Sequence, residues 1–184
     1  MPDETSEPRI VLLGPPGSGK GTQGIRLAVA LGVDHVSSGD LLRASVAEGD
    51  PHGVAAIMAA GALVPDKTLH AILLAHLPEG FVLDGYPRSV AQARALDEAL
   101  APAGPKRVIE IVVPEEVLIP RLLSRAVRHR RTDDTPETIA SRFEVYRNEI
   151  GGLRDHYGSR LVTVDGVGTQ EEVFERLLAA AGPR

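Results

Sequence analysis

The chain has 184 residues, a formal net charge of -5, 43% hydrophobic residues and no cysteine, which suits one globular domain with a full core and excludes disulfides and thiolate metal sites. Its acidic balance, with three Phe, three Tyr and no Trp, argues against a nonspecific nucleic-acid binder that stacks bases. No apolar run is long enough for a membrane helix and the polar start, Met1 to Pro8, does not resemble a secretory signal, so a cytoplasmic protein is expected.

The first apolar run, Arg9 to Leu13, reads as a strand and leads directly into Gly14-Pro15-Pro16-Gly17-Ser18-Gly19-Lys20-Gly21-Thr22-Gln23. Glycines at this spacing let the backbone curl so that several N–H groups face one anion. The helix that follows, about 19 to 31, adds the positive end of its dipole, and Lys20 adds a full charge. A nucleoside triphosphate is the expected ligand. Gly21 stands where most such loops place a Ser or Thr hydroxyl on Mg²⁺, so the metal is expected on phosphate oxygens, waters and carboxylates from elsewhere.

Further along, Asp34 to Ser37 predicts a second strand, followed by a helical stretch at 39 to 60 with a break and another at 66 to 77. Phe81 to Asp84 predicts a third strand, then a helix at 88 to 101, a strand at Arg107 to Val113 and helices at 115 to 128 and 135 to 157. Leu161 to Val164 and a helix at 169 to 181 complete the pattern. Asp66, Ser89, Pro114 and Thr135-Pro136 read as helix-start signals, and Met1 to Glu7 as a tail. Continuous apolar strands alternating with helices predict an α/β fold. Its form is a phosphate-loop three-layer sandwich, with a five-stranded parallel sheet covered by helices on both faces. Ligands of such sheets bind beyond the carboxyl ends of the strands. That rule brings Gly14 to Lys20, Ser38 to Asp40, Asp84 to Arg88 and Pro114 to one edge. The six histidines show no metal-binding spacing and read as surface or packing residues.

The loop GPPGSGKGTQ, then SSGDLLR (Ser37 to Arg43), GALVPD (Gly61 to Asp66) and VLDGYPRSVAQ (Val82 to Gln92) are followed by RLLSR (Arg121 to Arg125), RRTDD (Arg130 to Asp134) and SRFEVY (Ser141 to Tyr146). In this order they resemble the adenylate kinases, in the form with a short lid. The resemblance implies phosphoryl transfer from MgATP to AMP, giving two ADP. It also implies a single kinase domain over 1–184, with an AMP-binding arm at 37–66 and a lid at 125–132, working as a monomer without nucleic-acid or membrane partners. By resemblance, Gly17, Ser18, Gly19, Lys20, Gly21 and Thr22 bind the ATP phosphates, while Arg121 and Gly168 face the donor adenine. Arg43 and Arg88 hold the AMP phosphate. Arg125, Arg131 and Arg142 close on the transferred phosphoryl group, Asp133 and Asp134 orient the lid arginines, and Ser38, Val64, Gly85 and Gln92 line the acceptor site.

Physical chemistry supplies a reason for several of these roles. Transfer between two nucleotides gathers many negative charges, so guanidiniums and one metal are needed. Asp84, at a strand end beside the loop, can accept hydrogen bonds from the water shell of Mg²⁺. Gln92 carries both a donor and an acceptor suited to the edge of adenine. Standing alone, Arg43 reads as an exposed helix arginine, Asp84 as a strand-end turn residue and Gln92 as a surface glutamine. Three positions depart from the family pattern: Ser38 replaces Thr, Arg130 replaces Gly before Arg131, and the stretch 49 to 61 is two residues shorter. Two alternative functions are a pyrimidine nucleoside monophosphate kinase, which Gln92 disfavours, and a nucleotide-responsive binding protein with little turnover, which the number of arginines disfavours.

Overall fold

The computed structural model of the protein describes residues 7–59, 64–102, 104–129 and 136–182. The expected tail up to residue 6, residues 130–132 of the lid expected at 125–132 and the helix-start signal at Thr135 lie outside them. β1 (Arg9–Leu13), β2 (Asp34–Ser37), β3 (Phe81–Asp84), β4 (Arg107–Val112) and β5 (Leu161–Asp165) form one sheet in the order β2-β3-β1-β4-β5. Every pairing is parallel. Successive side chains of a strand point to opposite faces, and β1 shows this directly. Val11 and Leu13 enter one core with Leu73, Phe81, Leu83, Leu96 and Val108, whereas Ile10 and Leu12 enter the other with Leu27, Val82, Ile109, Ile111 and Leu177. Both faces are covered, which is why the central strands β1 and β3 read as apolar runs.

The helices are α1 (Lys20–Leu31), α2 (Ser38–Ala47), α3 (Val54–Ala59), α4 (Asp66–Leu74), α5 (Val90–Ala99), α6 (Glu115–His129), α7 (Pro136–Tyr157) and α8 (Gln170–Ala181). The stretch expected at 39 to 60 divides where Gly49 and Asp50 take positive φ; Asp50 then caps α3, its carboxylate accepting from the N–H groups of Val54 at 2.6 Å and Ala55 at 3.1 Å. Ser89 caps α5, its Oγ accepting from Gln92 N at 3.2 Å. The expected cap at Asp66 is different: Pro65 occupies the cap position without a side-chain bond, and Asp66 is the first residue of α4. At the other end α4 stops at Leu74, earlier than expected, and the His76 ring donates from Nδ1 to the carbonyl of Ile72 at 2.8 Å. A side chain thereby satisfies a carbonyl of the last turn. α8 carries a full capping box between Thr169 and Glu172.

α7 is the longest helix, and it joins the two cores. Ile139 and Phe143 pack in one and Ile150, Leu153 and Tyr157 in the other. Two features hold it. A Cβ on Gly152 would lie 2.7 Å from Val90 Cγ2, so the absence of a side chain lets α7 approach α5. Glu110, in the middle of β4 and 0% exposed, accepts from Arg154 Nε at 2.8 Å, Arg154 Nη2 at 2.7 Å and the Tyr146 hydroxyl at 2.7 Å. Burial and that carboxylate push the Tyr146 hydroxyl well above the usual phenol range. A carboxylate in a buried strand is tolerable only with such bidentate partners.

Asp97 of α5 makes a second anchor, accepting from Arg160 at 3.0 and 2.8 Å and from His156 at 3.0 Å. Burial alone would raise its pKa, but the hydrogen bonds and charge of Arg160, with those of His156, hold it below the usual carboxylate range. A depressed native pKa means that this stability is fully present above the unfolded value of about 3.9 and fades as pH falls through the lower native value. Asp97→Asn is therefore expected to lose about 1 kcal/mol at neutral pH. Urea melts at stepped pH check the sign: the gap between the two proteins should hold above pH about 4 and close below it.

Candidate active site

The carboxyl ends of the strands open into one cleft of about 1410 Å³. Its floor is the loop between β1 and α1. Gly17 there has φ 79°, and a Cβ on it would lie 2.9 Å from Leu122 Cγ, so both the turn and the close approach of α6 require glycine. No side chain caps α1, whose cap residue Gly19 is left-handed. Its first N–H groups and the positive helix end therefore serve the cleft. Ser18, Lys20, Gly21 and Thr22 line the same floor. Lys20 Nζ donates to the carbonyls of Gly14 and Pro15, each at 2.8 Å, so the ammonium rests against the loop that it would leave for a phosphate.

The turn after β3 lines the same cleft. Gly85 has φ 80°, and a Cβ there would collide with the Ser38 hydroxyl. Ser38 is 1% exposed. Arg88 donates from Nε to the carbonyl of Gly85 at 2.8 Å. The cleft walls desolvate its guanidinium and Arg142 adds like charge, which together lower its pKa, while Asp84 works the other way. Arg43, on α2, pairs with Asp40 one turn earlier. Arg43, Arg88 and Arg142 all line the cleft. The arrangement gathers positive charge around a space that an anion would fill.

Gln92 is buried in the cleft wall with both ends of its amide engaged. Its Oε1 accepts from Arg88 N at 2.7 Å, and its Nε2 donates to Asp66 Oδ1 at 2.6 Å. Behind it the Tyr86 hydroxyl donates to the Gln92 carbonyl at 3.2 Å and accepts from His70 Nδ1 at 2.8 Å. Desolvation and the charge of Asp66 push that hydroxyl up to about 12. Val64 completes this wall. At the far end Arg121 Nη2 lies 3.5 Å from the carbonyl of Gly166, and Gly168 lines the cleft beside Thr169.

Most of the residues singled out in the sequence thus share one cleft. Arg131, with Arg130, Asp133 and Asp134, lies outside the described residues, as do Gly61 to Leu63 of the acceptor arm. Arg125 belongs to α6, and its side chain lies outside the description. One residue was missed. His35 Nε2 is 3.0 Å from Asp84 Oδ2, with the His side chain 14% exposed. His35 pairs in register with Val82, and Ser37 with Asp84, so strand parity puts His35 and Asp84 on one face. The available signal was Gly24 in the middle of α1: a Cβ there would lie 2.8 Å from His35 Nε2.

Mg²⁺ can be tested against these donors. Among the described residues no group of three or more His, Asp or Glu side chains forms a ligand set, and Gly21 has no hydroxyl. Asp84 Oδ2 lies 3.6 Å from where a Cβ on Gly21 would be. The donors fit an ion carried in on a triphosphate that keeps its own waters, with the Asp84 carboxylate accepting from one of them.

Residues 12–162 match the family model described as adenylate kinase. The adenylate kinase of Nocardia farcinica (strain IFM 10152) is 48% identical over 183 residues, covering 95% of this chain and 99% of that protein. That of Xanthomonas euvesicatoria pv. vesicatoria (strain 85-10) is 47% identical over 185 residues, with the same two coverages. The adenylate kinase of Stenotrophomonas maltophilia (strain R551-3) is 46% identical over 183 residues, covering 94% and 98%.

The turn after β3 yields a direct test. Gly85→Ala must hold a Cβ at positive φ, which costs about 1–2 kcal/mol, and must also displace the buried Ser38 hydroxyl. It is expected to lower the melting temperature and weaken binding at the acceptor end. Ser38→Gly added to Gly85→Ala removes the collision but not the backbone strain, so it should recover part of the loss in thermal melts and nucleotide titrations.

Proposed function

The chain belongs to the adenylate kinase family, and from that premise we infer that it catalyses reversible phosphoryl transfer from MgATP to AMP, giving two ADP. The observation that carries the reading is a single cleft lined both by the glycine loop with Lys20 and by Arg43, Arg88 and Arg142. At about 1410 Å³ that cleft exceeds the roughly 300–1,000 Å³ of a site for one small ligand, which suits two nucleotides end to end.

In this reading an oxygen of the AMP phosphate attacks the γ-phosphorus of ATP in line, and the bond from that phosphorus to the bridging oxygen breaks as ADP leaves. Most of the protein's work is positioning and charge stabilisation. Lys20 leaves the carbonyls of Gly14 and Pro15 for the β and γ phosphates, which the loop N–H groups also bind. Arg88 and Arg43 hold the acceptor phosphate, and its arrival relieves the repulsion between Arg88 and Arg142. Arg125, Arg131 and Arg142 surround the group in transfer, with Asp133 and Asp134 orienting the lid over 125–132. Mg²⁺ bound with ATP would offset phosphate charge. Asp84, oriented by His35, would hold a water of its shell. Gln92, with Ser38, Val64 and Gly85 around it, reads the acceptor adenine from the arm at 37–66, and Arg121 and Gly168 flank the donor adenine. By family resemblance the working form is read as a cytoplasmic monomer.

A coupled assay with ATP and each of AMP, CMP, UMP and GMP tests the reading, and AMP should be the preferred acceptor. Lys20→Ala and Arg88→Ala should each lower kcat/KM by at least about 10²-fold with the circular dichroism spectrum retained. Near-normal turnover in either variant removes the assigned role. Asp84→Ala should raise the Mg²⁺ concentration needed for half-maximal rate and lower the rate at saturation, with Asp84→Asn milder. An unchanged Mg²⁺ dependence in both would leave Asp84 a structural residue only.

A further inference from the structure

Resting on the reading that Gln92 faces the acceptor base, we propose that Asp66 is a specificity-determining positioning residue: its carboxylate fixes which way round the Gln92 amide presents its donor and acceptor, and so rejects 6-keto purines. Gln92 has two partners of fixed polarity. A carboxylate oxygen can only accept, and Asp66 Oδ1 takes the hydrogen bond from Nε2 at 2.6 Å. A backbone N–H can only donate, and Arg88 N gives its hydrogen bond to Oε1 at 2.7 Å. Turning the amide over would place oxygen against carboxylate and NH₂ against N–H. The network behind the amide fixes its backbone too, since the Gln92 carbonyl accepts from Tyr86, whose hydroxyl in turn accepts from His70. All of Asp66, Gln92, Val64 and Ser38 line the cleft.

An amide carries two N–H donors and two acceptor lone pairs, so one of each is still available to a base after Asp66 and Arg88 are bonded. Along its pairing edge, adenine offers a donor at N6 and an acceptor at N1. Oε1 accepts from the first and Nε2 donates to the second. A 6-keto purine in the same pose offers the reverse, an acceptor at O6 and a donor at N1, so oxygen meets oxygen and N–H meets N–H. An unrestrained glutamine would turn over and accept either base. Here it cannot, and selectivity arises from a side chain that does not itself have to touch the nucleotide.

IMP is the sharpest probe, because it carries the reversed edge without the added 2-amino group of GMP. Asp66→Asn keeps the size of the side chain but can donate as well as accept, so it removes one of the two locks while Arg88 N retains the other. The IMP-to-AMP ratio of kcat/KM is expected to rise about 10-fold in Asp66→Asn, the scale of one relieved mispairing of buried polar groups. The change should fall mainly on KM for the monophosphate, with KM for ATP unaltered. Gln92→Leu serves as the reference and should raise the same ratio by abolishing the reading altogether. If Gln92→Leu raises the ratio and Asp66→Asn does not, the lock is wrong while the assignment of Gln92 stands. If neither variant changes it, Gln92 does not face the base and the proposal falls with that reading. A lowered melting temperature in Asp66→Asn with the ratio unchanged would reduce Asp66 to an acidic residue at the start of α4, and also overturns the proposal.

Discussion

Cations must be held around one cleft before any anion arrives, and that constraint shapes much of the molecule. Desolvation by the cleft walls, with the like charge of Arg142 added, lowers the pKa of Arg88 and records the cost of gathering such groups. Each cation is therefore held against a local acceptor. Lys20 rests on the carbonyls of its own loop, Arg43 on Asp40 and Arg88 on the carbonyl of Gly85. These acceptors are weaker partners than a phosphate. A phosphate entering the cleft would displace them, and its net gain is the difference between the contacts made and those given up.

Holding Arg142 in place depends on the helix that carries it. α7 crosses from one hydrophobic core to the other, so its position is fixed at both ends, by Ile139 and Phe143 in one core and by Leu153 and Tyr157 in the other. Glu110 ties the middle to the sheet through Tyr146 and Arg154. A buried ion pair is weak support for stability in itself, since apolar residues of the same volume often do better. Its directional bonds do something that apolar packing does less well: they set the rotation of the helix about its axis. Tyr146, one turn after Arg142, is among the bonded groups, so the register that points Arg142 into the cleft is set close to the residue that needs it.

The architecture was legible because it rests on local signals. Short apolar or β-branched stretches between helical patterns marked all five strands, with ends shifted by one residue at β4 and β5, and the loop from Gly14 to Gln23 stood out by its glycines, Lys20 and the flanking strand and helix. Strand order was not legible, for nothing local distinguishes β3 from β2 as the neighbour of β1. Glu110 was hidden for the opposite reason: it lies inside a run whose apolar character is correct, and its partners are 36 and 44 residues away in sequence. His35 and Asp84 are likewise joined by a register that only the folded sheet reveals. Asp66 was read as a helix-start acid from its position before an apolar pattern. It does begin α4, but its carboxylate is directed to a glutamine 26 residues away, a contact beyond the reach of any pattern in the chain.

The two ends of the cleft differ in what they offer a base. Near the expected donor adenine the named contacts involve the main chain: Arg121 approaches the carbonyl of Gly166, and Gln23 Nε2 and Arg26 Nη1 donate to the carbonyl of Gln170 at 2.8 and 3.0 Å, tying α1 to the start of α8. Near the expected acceptor base the polar groups include the Gln92 side-chain amide, bonded to Asp66 and to Arg88 N. A main-chain carbonyl or N–H has fixed polarity by its bonding, whereas an amide can present either face. Reading a base edge with a glutamine therefore needs added partners to remove the ambiguity, and a carboxylate on one side with a backbone N–H on the other is sufficient. That Arg88 supplies the N–H has a further consequence. The residue expected to hold the acceptor phosphate also fixes the group expected to read the acceptor base, so both ends of the bound monophosphate are referred to one turn of backbone at the end of β3.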